Sequence, residues 1–236
     1  MASSSKLTKV KTTLPKLPFP PNADRPPIQT ERLLIRALTR DDLPALHELR
    51  TQPEVMIFTV RGCVDRDLAE TQARLDTFLP PTGDLETYNT AVCLAATGEL
   101  LGLAGVHNRG ACSEELGWPE IGYIFKREHW GRGYATEFLR AFLERWWSLP
   151  RVETEVEVDL HTVPAGYLLE NGGKVPEMVV AVVEAGNTGS LRVMEKAGFE
   201  RFKEWKEPDE RAGFEGKDVT LVGFAYSSKG RELDVQ

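Results

Sequence analysis

The chain has 236 residues, 41% of them hydrophobic and 28% charged, with a formal net charge of -7. That suits one domain with extensions whose core needs no covalent staples, and the acidic balance argues against nucleic acid as the main partner. No apolar run reaches the ~20 residues of a membrane span, the opening stretch lacks the apolar core of a secretory signal, and Cys63, Cys93 and Cys112 lack paired or metal-type spacing. These features read as a cytoplasmic chain with free thiols and no metal site. Residues 1–29 are rich in Ser, Lys and Thr and then in Pro, with no acid before Asp24, and read as a flexible arm. Folded structure is expected from Thr30. Glu31–Ala37 reads as a first strand, and Thr39 to Asp42 carry helix-start signals ahead of Leu43, Leu46 and Leu49. A second helix is expected from Asp65 to Phe78, closed by Pro80 and Pro81, and then a hairpin of Tyr88–Ala96 and Leu100–Val106 about Thr97-Gly98-Glu99.

Glu120–Phe125 reads as a strand that delivers the chain to a glycine turn, His129 to Glu137 (HWGRGYATE), directly before an amphipathic helix running to Pro150. Trp146 and Trp147 are expected to pack the end of this helix into the core. Gly131 and Gly133 open backbone conformations closed to other residues and remove side chains that would block a ligand. The unpaired N–H groups of the helix's first turn, with the positive end of its dipole behind them, suit a phosphate or pyrophosphate. There is no Gly-Lys-Ser/Thr ending and no G-x-G-x-x-G, so neither other phosphate-loop pattern applies. An ordinary strand-to-helix connection would use the same two glycines.

Past Pro150, Val152, Thr154, Val156, Val158 and Leu160 alternate with Glu153, Glu155, Glu157 and Asp159, a period-two pattern with one acidic face. A Gly- and Pro-rich loop (Pro164 to Pro176) leads to a buried-type strand, Met178–Val183. A short helix is expected from Asn187 to Ala197, stopped by Gly198. Two strands, Phe199–Lys206 and Val219–Tyr226, should flank a polar turn. The tail, 227–236, reads as flexible.

Four segments together carry a family resemblance: Thr30-Glu-Arg-Leu-Leu-Ile-Arg36, Glu120-Ile-Gly-Tyr-Ile-Phe125, Trp130-Gly-Arg-Gly-Tyr-Ala-Thr-Glu137 and Asn187 to Phe199 (NTGSLRVMEKAGF). With them the chain resembles the GNAT superfamily of acyl-CoA-dependent N-acetyltransferases, in a branch like that of the ribosomal-protein alanine N-acetyltransferases. The resemblance runs from about Thr30 to Tyr226 and leaves out the arm and an inserted strand and loop at about 152–177. It implies an α/β (α+β mixed) fold, a twisted, splayed mixed β-sheet flanked by helices, with acetyl-CoA as co-substrate in the opening. It also implies that Ile124, Phe125, Trp130, Gly131, Arg132, Gly133, Tyr134, Ala135, Thr136, Asn187 and Ser190 bind the cofactor. The pyrophosphate would lie on the Arg132–Thr136 backbone and the pantetheine beside the central strand. The first position of the pyrophosphate motif, often Gln or Arg, is Trp130 here.

The implied reaction is direct attack of a primary amine on a thioester. It needs a base for the ammonium proton, donors for the carbonyl oxygen and help for the leaving thiolate. Glu120, just ahead of Ile-Gly-Tyr, is the candidate base; a surface glutamate at a strand start is its alternative. His129 and His107 are fallback bases. Many family members carry a tyrosine acid before the Glu-Lys of the last motif, where this chain has Met194, so Ser190, Tyr123 or water must serve, or no acid is needed. Asn187 and Ser190, one helical turn apart, can face one ligand, although Asn187 is also a good helix cap. The acidic face at 153–159 is either a solvated edge strand or a wall that attracts a cationic amine. Three readings follow: an N-acetyltransferase for a protein N-terminus or small amine, a catalytically degenerate acyl-CoA sensor, or a site for another phosphate ligand such as a nucleotide. Partners are expected to be acetyl-CoA and an amine, with neither nucleic acid nor membrane, and the chain a monomer or homodimer. Phe58 to Asp67 is the segment expected to help choose the amine.

Overall fold

The computed structural model describes residues 7–107, 112–113, 115–163, 167, 174–211 and 213–227. Ten strands and six helices follow one another in these residues. The first half builds a five-stranded antiparallel sheet in the order β2 (Ile28–Gln29), β3 (Leu33–Ala37), β4 (Tyr88–Leu94), β5 (Leu100–Val106) and β6 (Ile121–Phe125). Helices α1 (Leu43–Arg50), α2 (Pro53–Met56), α3 (Leu68–Asp76) and α4 (Gly83–Glu86) lie between β3 and β4. The β4–β5 hairpin closes on Gly98 at φ +76°, a left-handed turn only glycine adopts freely. The second half supplies α5 (Tyr134–Ser148), β7 (Arg151–Asp159), β8 (Met178–Glu184), α6 (Thr188–Ala197), β9 (Glu200–Pro208) and β10 (Asp218–Ser227). Of these, β8, β10 and β9 form an antiparallel sheet in that order.

Apolar spacing explains which face each helix presents. Phe138, Leu139, Phe142, Leu143 and Trp146 make one stripe along α5, all buried against both sheets. At roughly 1.5–3 kcal/mol per large apolar side chain buried, this stripe is a main link between the two halves. Met194 and Ala197 of α6 join the same cluster. Leu46 and Leu49 of α1 and Leu75 of α3 pack on the opposite face of the five-stranded sheet.

Four expectations are corrected. Residues 1–29 are not all a flexible arm: Leu7–Pro15 is strand β1, paired antiparallel with β7 in full register from Leu7–Asp159 to Pro15–Arg151. Val10 and Leu14 alternate inward and are buried, and Phe19 enters the main core. Lys, Thr and Pro composition hid that alternation. Second, β7 joins neither sheet, and Glu155 and Glu157 face Lys11 and Lys9 across the ribbon, so β1 covers the edge the acidic face was expected to protect. Third, Asp159 leaves that face: it is fully buried, ion-paired with Lys203 at 3.2 Å and within hydrogen-bond distance of His161 Nδ1 at 2.8 Å. Fourth, the helix expected from Asp65 begins at Leu68 with Asp67 as its cap, because Asp65 is buried in an ion pair. Most of the Pro164–Pro176 loop and residues 228–236 of the tail lie outside the described residues.

Candidate active site

The two sheets meet edge to edge at a parallel bridge, Glu120 with Val180, where Val180 N–H donates to Pro119 O at 2.8 Å. Beyond it β6 pairs only with β5, while β8 runs on to Glu184 and α6. The ladder fixes which backbone groups face the resulting opening. Glu120 O accepts from His107 N–H and Lys126 N–H donates to Leu101 O, so the even-numbered residues of β6 bond to β5. The odd-numbered residues, Tyr123 and Phe125, therefore turn their N–H and C=O groups toward β8. These are backbone donors and acceptors suited to an extended polar ligand lying in the wedge.

The strand's two faces divide the side chains. Tyr123 and Phe125 lie toward α5 and α6, their rings 5.9 Å apart, whereas Ile124 packs with the cluster of α1 and α3. Of the expected cofactor residues, Ile124 thus directs its backbone to β5. Phe125 is buried, and its carbonyl accepts the Trp130 indole N–H at 2.8 Å. Trp130, at the unusual first position of the motif, hence fastens the turn to the end of β6.

Gly131 (φ +73°) and Gly133 (φ +83°) both take left-handed conformations, and Gly133 caps α5 with no side-chain hydrogen bond to the helix end. The N–H groups of Tyr134, Ala135 and Thr136 precede the first intrahelical donor, since Glu137 N–H is the first to bond back, to Gly133 O. Arg32, from the opening strand motif, holds this turn. It donates to Arg132 O at 2.9 Å, pairs with Glu137 and lies 4.8 Å over the Tyr134 ring. Glu137 also accepts from Thr30 Oγ1. Burial raises the Glu137 carboxyl, but the Thr30 and Arg32 bonds outweigh it and hold the group below its usual range. Thr30, Arg32 and Glu137 belong to two separate sequence motifs, and nothing in the sequence ties motifs a hundred residues apart. An open cleft of about 580 Å³ continues from the turn along α5, with Arg140 and Lys196 on its walls.

At the other end of the wedge, Glu120 Oε1 lies 3.8 Å from His107 Nε2, and His107 stands over Gly122, where a Cβ would come within 3.0 Å of Nδ1. Burial, aided by the charge of Arg74, lowers His107 to about 4, so it is neutral at physiological pH. Glu120, Gly122 and Ile124 share the face toward α1 and α3. His129 is placed elsewhere: it is buried in the turn with Nε2 3.1 Å from Glu99, a structural contact. On α6, Asn187 Oδ1 accepts Ser190 N–H at 3.0 Å, the capping role, which turns Ser190 toward Tyr123. Met194 is buried in the core and presents no polar group.

The sequence profile of the Acetyltransferase (GNAT) domain matches residues 32–200, well over half of the chain. The chain belongs to the GNAT acetyltransferase family. It is 31% identical over 115 residues to YkkB of Bacillus subtilis (strain 168), which covers 48% of this chain and 52% of YkkB, so the match spans about half of that relative. It is 27% identical over 134 residues to the Uncharacterized N-acetyltransferase p20 of Bacillus licheniformis, covering 55% of this chain and 72% of p20. Among solved structures, spermidine N-acetyltransferase from Vibrio cholerae, in complex with CoA and spermine, superposes with a TM-score of 0.59 at 16% identity. That superposition covers 85% of this chain and 98% of the other. The matched residues include the diverging strands and the glycine turn before α5. No helix among the described residues is long and apolar enough to cross a membrane.

Proposed function

We propose that the protein moves an acetyl group from acetyl-CoA to a primary amine, a protein N-terminus or a small amine, by direct attack in a ternary complex. The observation that carries this reading is the divergence of β6 from β8 at Glu120. It leaves backbone donors of Tyr123 and Phe125 on a free edge, with the N-terminus of α5, which no side chain caps by a hydrogen bond, at its mouth. The pyrophosphate would take the N–H groups of Arg132 to Thr136, and the pantetheine the edge of β6. Ser190 and Asn187, joined by the helix cap at the start of α6, would contact the pantetheine arm or the sulfur.

Glu120 is the proposed base. It stands beside neutral His107, on the face of β6 turned to α1 and α3, where an amine would enter past residues 58–67. Removing the ammonium proton frees the nitrogen lone pair, and the free-edge N–H groups would hold the carbonyl oxygen as its charge grows. The branch close to the ribosomal-protein alanine N-acetyltransferases and the cytoplasmic setting belong to this proposal.

Calorimetric titration with acetyl-CoA, with ATP as control, is the first test, followed by CoA release across amines and N-terminal peptides. Glu120→Gln should lower turnover by roughly 10²–10⁴-fold with acetyl-CoA affinity unchanged. Binding of ATP in preference to acetyl-CoA would replace this reading with a nucleotide site. The second reading, a sensor that holds acyl-CoA without turnover, is favoured by the apolar burial of Met194. Acetyl-CoA binding without CoA release on any amine would select it.

A further inference from the structure

One short run at the mouth of the wedge is apolar and yet left in water. Ile57, Phe58 and Val60 are 39%, 41% and 97% exposed, the densest run of exposed large apolar side chains among the described residues. Single apolar residues at a surface need no explanation, but a cluster on a braced segment marks a contact site. The chain reaches this run by crossing the opening. Gln52, ahead of α2, accepts from Arg127 N–H at 2.8 Å, just past the end of β6. Beyond α2, Ile57 O accepts from Arg211 Nη1 at 2.6 Å, and the same nitrogen donates to Glu184 Oε2 at 2.8 Å, at the end of β8. The segment thus spans the two strands where they stand apart. Val55 of α2 packs in the cluster of α1 and α3, so the crossing lies on the Glu120 face of β6. Its return is fixed as well: Gly62 turns at φ +71° against Arg211, where a Cβ would come within 2.7 Å of Arg211 Cβ. Arg61 then bonds Cys63, Asp65 and Glu70.

Resting on the acetyl-transfer reading, we propose that the acceptor is a peptide N-terminus whose first residues carry apolar side chains. These lie against Ile57, Phe58 and Val60 while the terminal amine reaches Glu120. Two observations choose this acceptor. Val60 stands almost wholly in water, so a small amine held in the wedge would leave it bare, and only an acceptor that continues outward as a chain covers it. The acids that brace the segment are already neutralised, Asp65 and Glu70 by Arg61, Glu184 and Asp209 by Arg211. A polyamine needs carboxylates for its further ammonium groups, and these are taken. An uncharged apolar side chain needs only the surface that Ile57, Phe58 and Val60 offer. Arg211 is a positioning residue in this arrangement: it holds Ile57 over the opening and touches no reacting atom.

The test measures CoA release with short peptides of one length that begin with apolar or with polar side chains, and with spermidine and phenethylamine as small amines. Peptides with an apolar start should show kcat/KM roughly 10-fold or more above the polar-start peptides and both small amines. Val60→Asp sets a charge where apolar contact is expected and, at so exposed a side chain, leaves the fold alone. It should raise the KM of the apolar peptides roughly 10-fold, with kcat, acetyl-CoA affinity and melting temperature unchanged. Val152→Asp, at an exposed valine of β7, is the control and should leave that KM at the wild-type value. Either small amine preferred over every peptide, equal use of apolar and polar peptides, or an unchanged KM in Val60→Asp would each overturn the assignment and leave the acetyl-transfer reading standing. A wild-type protein that neither binds acetyl-CoA nor releases CoA on any amine would overturn both.

Discussion

Replacing Gly133 by Ala tests the helix-start site through backbone energetics alone. Gly133 sits at φ +83°, and a Cβ built there meets only Arg32 Nη2 at 3.5 Å, an ordinary van der Waals contact. The cost is therefore conformational, about 1–2 kcal/mol for a left-handed residue with a side chain. Gly131, Arg132 and Gly133 are all exposed, so the free variant can relieve the strain locally without disturbing the core. Acetyl-CoA must then restore the turn to reach the N–H groups of α5, and the cost appears in binding. That corresponds to roughly 5–30-fold weaker affinity with little change in stability. Gly98→Ala is the control: its φ is +76°, nothing lies within 4 Å of its Cβ, and it sits in the β4–β5 hairpin. Calorimetric titration of both variants with acetyl-CoA, alongside thermal melts, gives the result. A Gly133→Ala affinity within twofold of wild type, or an equal loss in Gly98→Ala, would refute the assignment of the turn.

Asp65→Asn should destabilise the fold by about 3–5 kcal/mol in urea denaturation, because it strips the partner from buried Arg50, whose Nε lies 2.6 Å from Asp65 Oδ2. Burial pushes the Asp65 carboxyl up, but bonds from Arg50 and Thr71 hold it below its usual range. A group so depressed stabilises the fold above its unfolded pKa, and that contribution fades as acid protonates it, so wild type should lose its advantage over the variant at low pH. Glu177 shows the opposite sign. Burial raises it from 4.5 to about 7 against the pull of Arg151, so between those values the folded chain keeps a proton the unfolded chain has lost. Stability should fall as pH rises through that window, and melts of Glu177→Gln from pH 5 to 8 should lack this component of the slope. Leu14→Ala should cost about 2–5 kcal/mol if the β1–β7 ribbon is an integral part of the domain, and a melt unchanged from wild type would contradict that.

Much of the site was legible because its signals are local. The glycine turn announces itself by residue type, since the left-handed conformations at 131 and 133 need glycine. The α5 stripe is a 3.6-residue periodicity, and Asn187 is a cap by type and position. What stayed hidden depends on pairing at a distance. Strand β1 reads as a coil because an amphipathic nine-residue strand with Lys, Thr and Pro carries little signal until β7 lies beside it. Asp159 reads as one more exposed acid until the chain turns at the end of β7 and meets Lys203. The link from Arg32 to the Arg132 carbonyl joins segments a hundred residues apart, and no spacing rule reaches that far.

The geometry of β6 explains why one short strand can organise the proposed reaction. A strand offers four directions: one backbone edge for its sheet neighbour, a second edge, and two side-chain faces. In β6 the first edge is filled by β5, while the second is freed by the departure of β8 after Glu120. That freed edge suits a thioester, because its N–H groups are fixed in place by the pairing on the other side and need not reorganise as charge develops. A continuous pairing of β6 with β8 would fill that edge with the backbone groups of β8. Substitutions that extend the pairing past Val180 should therefore abolish acetyl-CoA binding even with every named side chain intact.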